Sequence, residues 1–236
     1  MPYLQTAPYL QTTPRWHATF PSAHVGVLGL SGIDNTRRVP SLDVYKRTLA
    51  TTLCEQYAGW TRATLLEQPV LEAYKAYYGR FGNTYHVLGQ LESVLKGKGL
   101  PSVSPLVDAA FAAEMETLVL TARHDADRIS TPLILDALQG DEPFIPMRGD
   151  ARTLKAGDMM LSDAYGVVCT ILGGQDAQTP LTPATRRVLY VTYAPEGVPL
   201  SATEAQLAAL RRHVQLFAPD AEVEGLEVYR AGEGKC

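Results

Sequence analysis

The sequence predicts an α+β protein in which N-terminal helices pack on an antiparallel sheet or a small β-sandwich. Three observations predict it. Apolar residues recur at helical spacing in four consecutive segments of the first half. From Thr117 to Ala194 the apolar runs become short and β-branched, with turn residues at roughly ten-residue intervals, the texture of a sandwich. A helix and a strand then close the chain. Helices first, strands next and a helix–strand pair last is an α+β order, whereas a parallel sheet needs alternating strands and helices.

The elements follow in order. Residues 1–22 hold a near repeat, Pro2-Tyr3-Leu4-Gln5-Thr6-Ala7 and Pro8-Tyr9-Leu10-Gln11-Thr12-Thr13. They are expected to form an extended arm that packs its Tyr and Leu on the body or on a second subunit. Two units are too few for a solenoid. Residues 23–236 are expected to form a single α+β domain. Residues 23–30 read as a strand, and Gly29, Ser31, Gly32, Asp34 and Asn35 mark the loop after it. Ser41 is the expected N-cap of a helix reaching residue 58, with Leu42, Tyr45, Leu49 and Leu53 on one face. Further helices are expected from Pro69, with Leu71, Tyr74 and Tyr78, over residues 85–96, and from Ser104 with Pro105 as first helical residue. Strands are expected over 118–121, 133–135, 144–147, 158–161, 166–172 and 187–193, with a hairpin turn at Asp163-Ala164-Tyr165-Gly166. Ser201 and Glu204 have the spacing of a capping box for a helix carrying Leu207, Leu210, Val214 and Phe217. A strand over 222–229 ends the fold.

The chain has 236 residues, 46% hydrophobic and 19% charged, a globular composition. Its apolar runs are too short for a membrane helix, and the N-terminus lacks the order of a secretion signal, so a cytoplasmic setting is expected. A net charge of −4 argues against a general nucleic-acid binder, and DNA is not expected as a partner. Cys54, Cys169 and Cys236 form no C-x-x-C pair; the first two read as packing residues and the last as an exposed thiol.

No phosphate-binding loop, dinucleotide fingerprint, zincin motif or nucleophile elbow is present, and no cofactor is expected. His124-Asp125-Ala126-Asp127 sets an imidazole beside two carboxylates, but no third ligand is evident and no metal site is assigned. His17, His24, His86 and His213 are scattered and read as surface or satisfied core residues. Two local features stand out. Gly173-Gly174 follows a strand and either turns the chain or lets the backbone approach a ligand. Lys96-Gly97-Lys98-Gly99 is a basic corner that either caps a helix end or meets phosphate.

Four segments together resemble the B3/4 tRNA-editing domain of the phenylalanyl-tRNA synthetase beta subunit, and in particular its free-standing relatives. They are the run from Leu95 to Asp108, with its Lys-Gly-Lys-Gly-Leu-Pro turn and Val107-Asp108 pair; Asp125-Ala126-Asp127-Arg128-Ile129; Gly173-Gly174-Gln175; and the run from Thr182 to Leu189. Their order and spacing agree over roughly residues 80 to 195. The resemblance implies the fold of that editing domain and hydrolysis of the ester between a wrong amino acid and its tRNA. The implied partner is tRNA or aminoacyl-tRNA; the sequence fixes no oligomeric state. On this resemblance Thr170, Gly173, Gly174, Gln175 and Thr185 would hold the amino acid, and Lys96 and Lys98 would meet tRNA phosphates near the pocket mouth.

The chain departs from the family at three places. Ala122 stands where the family has a His; His124, two residues on and so on the same strand face, is the candidate catalytic residue. Gln175 replaces the family's Glu, and Ala109-Ala110-Phe111 lacks the usual Asn. The alternative to an editing hydrolase is a non-catalytic module on the same fold that binds RNA, an amino acid or a small metabolite.

Overall fold

In the computed structural model, which describes residues 9–36 and 38–232, three layers stack: helices, a four-stranded sheet and a five-stranded sheet. The middle layer runs β11 (Glu222–Arg230), β2 (His24–Ser31), β10 (Val188–Ala194), β3 (Thr121–Asp125), all antiparallel. Its central strands are buried on both faces, which is why β2 and β10 read as continuous apolar runs. Alternation sends Val25, Val27, Leu189, Val191 and Tyr193 toward the second sheet. Leu28, Leu30, Val188 and Tyr190 face the helices. Gly26 sits under α7 (Leu200–Gln215): a Cβ there would lie 2.9 Å from Leu207 and Thr203 carbons, so the helix packs directly on the strand's backbone.

The second sheet runs β1 (Leu10–Thr12), β4 (Leu133–Ala137), β7 (Met159–Asp163), β8 (Gly166–Thr170), β9 (Gly174–Gln175). Only β1 pairs in parallel. The expected Asp163–Gly166 turn joins β7 to β8. A small ribbon pairs β5 (Pro143–Phe144) with β6 (Arg152–Thr153).

Helix α6 (Pro105–Thr117) lies beside α7 on the outer face of the first sheet, with α2 (Pro40–Gln56) against them. Helices α4 (Pro69–Gly79) and α5 (His86–Leu95) close one flank of the sandwich, and α3 (Arg62–Leu65) links α2 to α4. Tyrosines fasten this flank. Tyr77 Oη donates to Asp158 at 2.7 Å, Tyr78 Oη to the Ile171 carbonyl at 2.9 Å and Tyr85 Oη to the Leu118 carbonyl at 2.9 Å; Tyr74 bonds the Tyr193 carbonyl. Each buries a large ring and satisfies its hydroxyl. No helix among the described residues is long and apolar enough to cross a membrane.

Several local expectations are corrected. The stretch expected as an extended arm contains β1 and a short helix, α1 (Pro14–Thr19), whose Trp16 is fully buried; Leu10 packs in the core. Residues 1–8, with the first copy of the repeat, lie outside the described residues, as does Cys236. Ser41 does not cap α2, which starts at Pro40 after Val39; its hydroxyl donates instead to the Leu216 carbonyl. Helix α7 begins after Pro199 with no side-chain cap, so Ser201 and Glu204 form no capping box. The strand expected at 118–121 starts at Thr121, because Leu118 takes the left-handed C-cap of α6 at φ 63°. Only Phe144 of the strand expected over 144–147 is in β5; Ile145, Pro146 and Met147 pair instead with residues 175–177 through a single antiparallel bridge and two backbone hydrogen bonds.

Candidate functional site

The site begins with the free edge of β3. The Ala126 N–H donates to the Arg187 carbonyl and the Tyr193 N–H to the Leu120 carbonyl, so even-numbered residues of β3 bond to β10. In an antiparallel ladder the intervening residues point the other way. The outer edge is closed at two of them: Thr121 N–H donates to Glu114 Oε1 at 2.9 Å, and Asp125 N–H to the Thr179 carbonyl at 2.9 Å. Between these, the N–H and C=O of Arg123 have no partner among the described residues.

That gap opens into a cavity of about 170 Å³ where both sheets meet the helical flank. Helix α5 contributes His86 and Gln90, α6 contributes Phe111 and Glu114, and β3 contributes Thr121, Ala122 and Arg123. Thr170, Gly174 and Gln175 form the opposite wall, with Met147 at the lip. Apolar walls with a few converging polar groups are the usual form of a small-ligand site. One buried polar atom of a lining residue, Gln90 Oε1, has no hydrogen-bond partner among the described residues.

The turn that shapes this wall needs its glycines. Gly173 N–H donates to Thr170 Oγ1 at 2.6 Å, and a Cβ on Gly173 would fall 2.7 Å from that oxygen. Gly174 adopts φ 75°, a left-handed conformation that favours glycine. Gln175 Nε2 donates to the Thr179 carbonyl at 2.8 Å.

Charge in the cavity is sparse. Glu114 is 3% exposed. Burial pushes its carboxyl up to about 7, against the pull of Arg123 and of the Thr121 N–H. Cys169 is a poor nucleophile, since burial pushes its thiol up to about 12. His124 stands apart from the lining. It is fully buried, and burial together with the Arg123 charge holds its pKa down at about 3, so the ring is neutral. Thr179 gives its hydroxyl proton to Asp176, so the 2.7 Å contact from His124 Nδ1 places the ring proton on Nδ1. His124 therefore reaches Gln175 through Thr179 and does not itself line the cavity.

The B3/4 domain model matches residues 73–215, more than half of the chain. The chain belongs to the B3/4 domain family. Comparison with curated proteins gives no match. Among solved structures, the chain is similar to an N-terminal fragment of the phenylalanyl-tRNA synthetase beta subunit from Pyrococcus horikoshii. That likeness has 13% identity and a TM-score of 0.44, and covers 93% of this chain and 49% of the fragment. The chain thus spans about half the length of that fragment.

Several residues that carried the B3/4 resemblance serve the frame. Asp108 is buried against Lys46 at 2.7 Å and accepts the Val103 N–H at 2.7 Å, tying α2 and the loop after α5 to α6. Asp125 accepts the Thr185 hydroxyl at 2.7 Å, and Asp127 pairs with Arg187 at 2.7 Å, so two motif segments lock together at the end of β3. Thr185 is buried there, outside the cavity lining. Thr170, Gly174 and Gln175 do line the cavity, and Gly173 lines a neighbouring groove with Arg152 and Lys155. Lys96 and Lys98 are exposed at the far end of α5, some ten residues or about 15 Å along the helix from His86.

Sequence reading missed Glu114, Arg123, His86 and Gln90. Glu114 carried a faint signal, being a carboxylate on the otherwise apolar Ala-rich face of α6. Arg123 carried none, because the free strand edge exists only after the sheets assemble.

Proposed function

We propose that this B3/4 chain binds tRNA and edits aminoacyl-tRNA in trans: the cavity takes the aminoacyl group of a mischarged tRNA, and water hydrolyses its ester. The observation that carries the reading is the unpaired Arg123 amide opening into a small cavity of mixed polarity. Water adds to the ester carbonyl carbon, the bond to the ribose oxygen breaks, and that oxygen takes a proton as the free amino acid leaves. The ester is already activated, so holding it and its water in place supplies much of the acceleration. In this reading the Arg123 N–H stabilises the developing oxyanion without reorganising, and the cation of the same lining residue adds favourable charge. Thr170 and Gln175 line the pocket wall, and His124 acts as a positioning residue through Thr179. The groove carrying Arg152 and Lys155 adjoins the cavity and shares His86 and Gly174 with it, which suits an approaching phosphate backbone. A cytoplasmic setting fits this substrate.

The test is incubation with a panel of misacylated tRNAs. At least one ester is expected to decay faster than in buffer; survival of all at the buffer rate overturns the enzyme reading. One observation favours a second reading, a binding module without turnover: neither a nucleophile of lowered pKa nor an accessible imidazole other than His86 lines the cavity. Stabilisation by tRNA or by an amino acid, with every ester intact, is the result that reading expects.

A further inference from the structure

The cavity has more acceptors than its own donors satisfy. Glu114 is buried, and among the described residues its carboxylate accepts one hydrogen bond, from the Thr121 N–H. No cation lies within ion-pair distance of it among the described residues, although Arg123 lines the same space. Gln90 Oε1 is buried and unpartnered in the neighbouring wall. The Arg123 carbonyl faces the same gap as its N–H. A buried carboxylate with one hydrogen bond is incompletely compensated, and three acceptors on residues lining one cavity call for a group with several donors. An ammonium has three.

The spacing adds the second half of the ligand. Thr121 and Arg123 N–H groups on one strand edge are about 6.8 Å apart. The Glu114 carboxylate occupies the first, and the second is open. Placed between them, an ammonium on the carboxylate leaves an adjacent carbonyl oxygen at the Arg123 N–H. Amine and carbonyl on neighbouring carbons describe an α-aminoacyl group.

We propose that Glu114 is the specificity residue that recognises the free α-ammonium of the aminoacyl group, with Gln90 Oε1 and the Arg123 carbonyl as its further acceptors. This rests on the cavity being the aminoacyl site, and it adds that the substrate amine must be free. Amine-blocked esters are then rejected, because they bring a bulky neutral amide to a buried carboxylate. The carboxyl of Glu114 titrates near neutrality, so a ligand cation draws it into the charged form as it binds. The charged and titratable neighbours of that equilibrium are Arg123 on β3, His86 on α5, and the Tyr74, Tyr78 and Tyr85 hydroxyls.

The experiment compares a tRNA ester that the protein hydrolyses with its N-acetyl counterpart, for the native chain and for Glu114→Gln. The glutamine keeps an acceptor for Thr121, and a urea midpoint near native shows that it folds. Native protein is expected to prefer the free amine by roughly 30-fold or more, and Glu114→Gln to lose that preference. Equal native rates on both esters, or an undiminished preference in Glu114→Gln, overturn the proposal and leave the hydrolase reading standing. If no ester is hydrolysed, the hydrolase reading fails and thermal shift decides instead. A panel of amino-acid amides must stabilise native protein where their N-acetyl forms do not, and Glu114→Gln must abolish the difference; no such difference overturns the proposal.

Discussion

His124 and Glu114 show how burial, the largest cause for each, drives two titratable groups in opposite directions. His124 drops from 6.5 to about 3, so its stabilising contribution is present above the unfolded value and is lost as pH falls. Glu114 rises from 4.5 to about 7, so its contribution is present at low pH and is lost as pH rises through the folded value. Between pH 7 and 5 the two oppose each other, each by about 2 kcal/mol. Removing one should unmask the other. His124→Gln is expected to gain about 2 kcal/mol relative to native protein on going from pH 7 to pH 5. Urea denaturation at both pH values measures it, and a pH-independent difference would mean that the ring is not held neutral. The B3/4 resemblance, with Ala122 standing at the family's His position, made His124 the candidate catalytic residue. Its partner Thr179, 55 positions away, was not legible, because local order does not reveal which loop closes over a strand.

At the scale of elements, the Lys46–Asp108 pair joins α2 to α6, with both side chains about 5% exposed. Lys46 also donates to Ser102 at 2.7 Å. Removing one partner strands a buried charge, so Lys46→Met is expected to cost roughly 3–5 kcal/mol. Lys46→Met with Asp108→Leu should recover a large part of that loss, since a well-packed apolar pair often replaces a buried ion pair at little cost. Thermal or urea unfolding of the three variants checks this. A double variant as unstable as the single one would show that Asp108 matters chiefly for holding the Val103 N–H. The Val-Asp signature on α6 was visible in the sequence; its work as a clamp on α2 was not, since Lys46 precedes it by 62 residues.

At the scale of the whole molecule, the proposed tRNA binding has two candidate basic surfaces. Lys96 and Lys98 at one end of α5 and the Arg152–Lys155 groove beside His86 at the other would bracket a strand running along the flank. Each double alanine variant, Lys96→Ala with Lys98→Ala and Arg152→Ala with Lys155→Ala, is expected to weaken tRNA binding. Each should also lower the slope of log affinity against log salt by about 1.4–1.8, the worth of two phosphate contacts. An unchanged slope removes that pair from the interface.

The amino-acid sequence by itself determined the α+β order, most strand and helix positions, the β7–β8 turn and the B3/4 family. These rest on periodicity, on Gly and Pro punctuation and on short motifs, all readable within about 15 residues. The glycine pair alone left a turn and a ligand approach open; the B3/4 resemblance singled out Gly174 and Gln175, and both line the cavity. Tertiary structure alone decided that β1 and α1 join the core, that Thr185 and Asp108 build the frame, and that His124 is buried outside the cavity lining. It alone brought Glu114, Gln90 and the open edge of Arg123 together. The reason is that desolvation and an unpaired strand edge are properties of what packs nearby, contributed here by α5, α6 and both sheets, and no single segment encodes them.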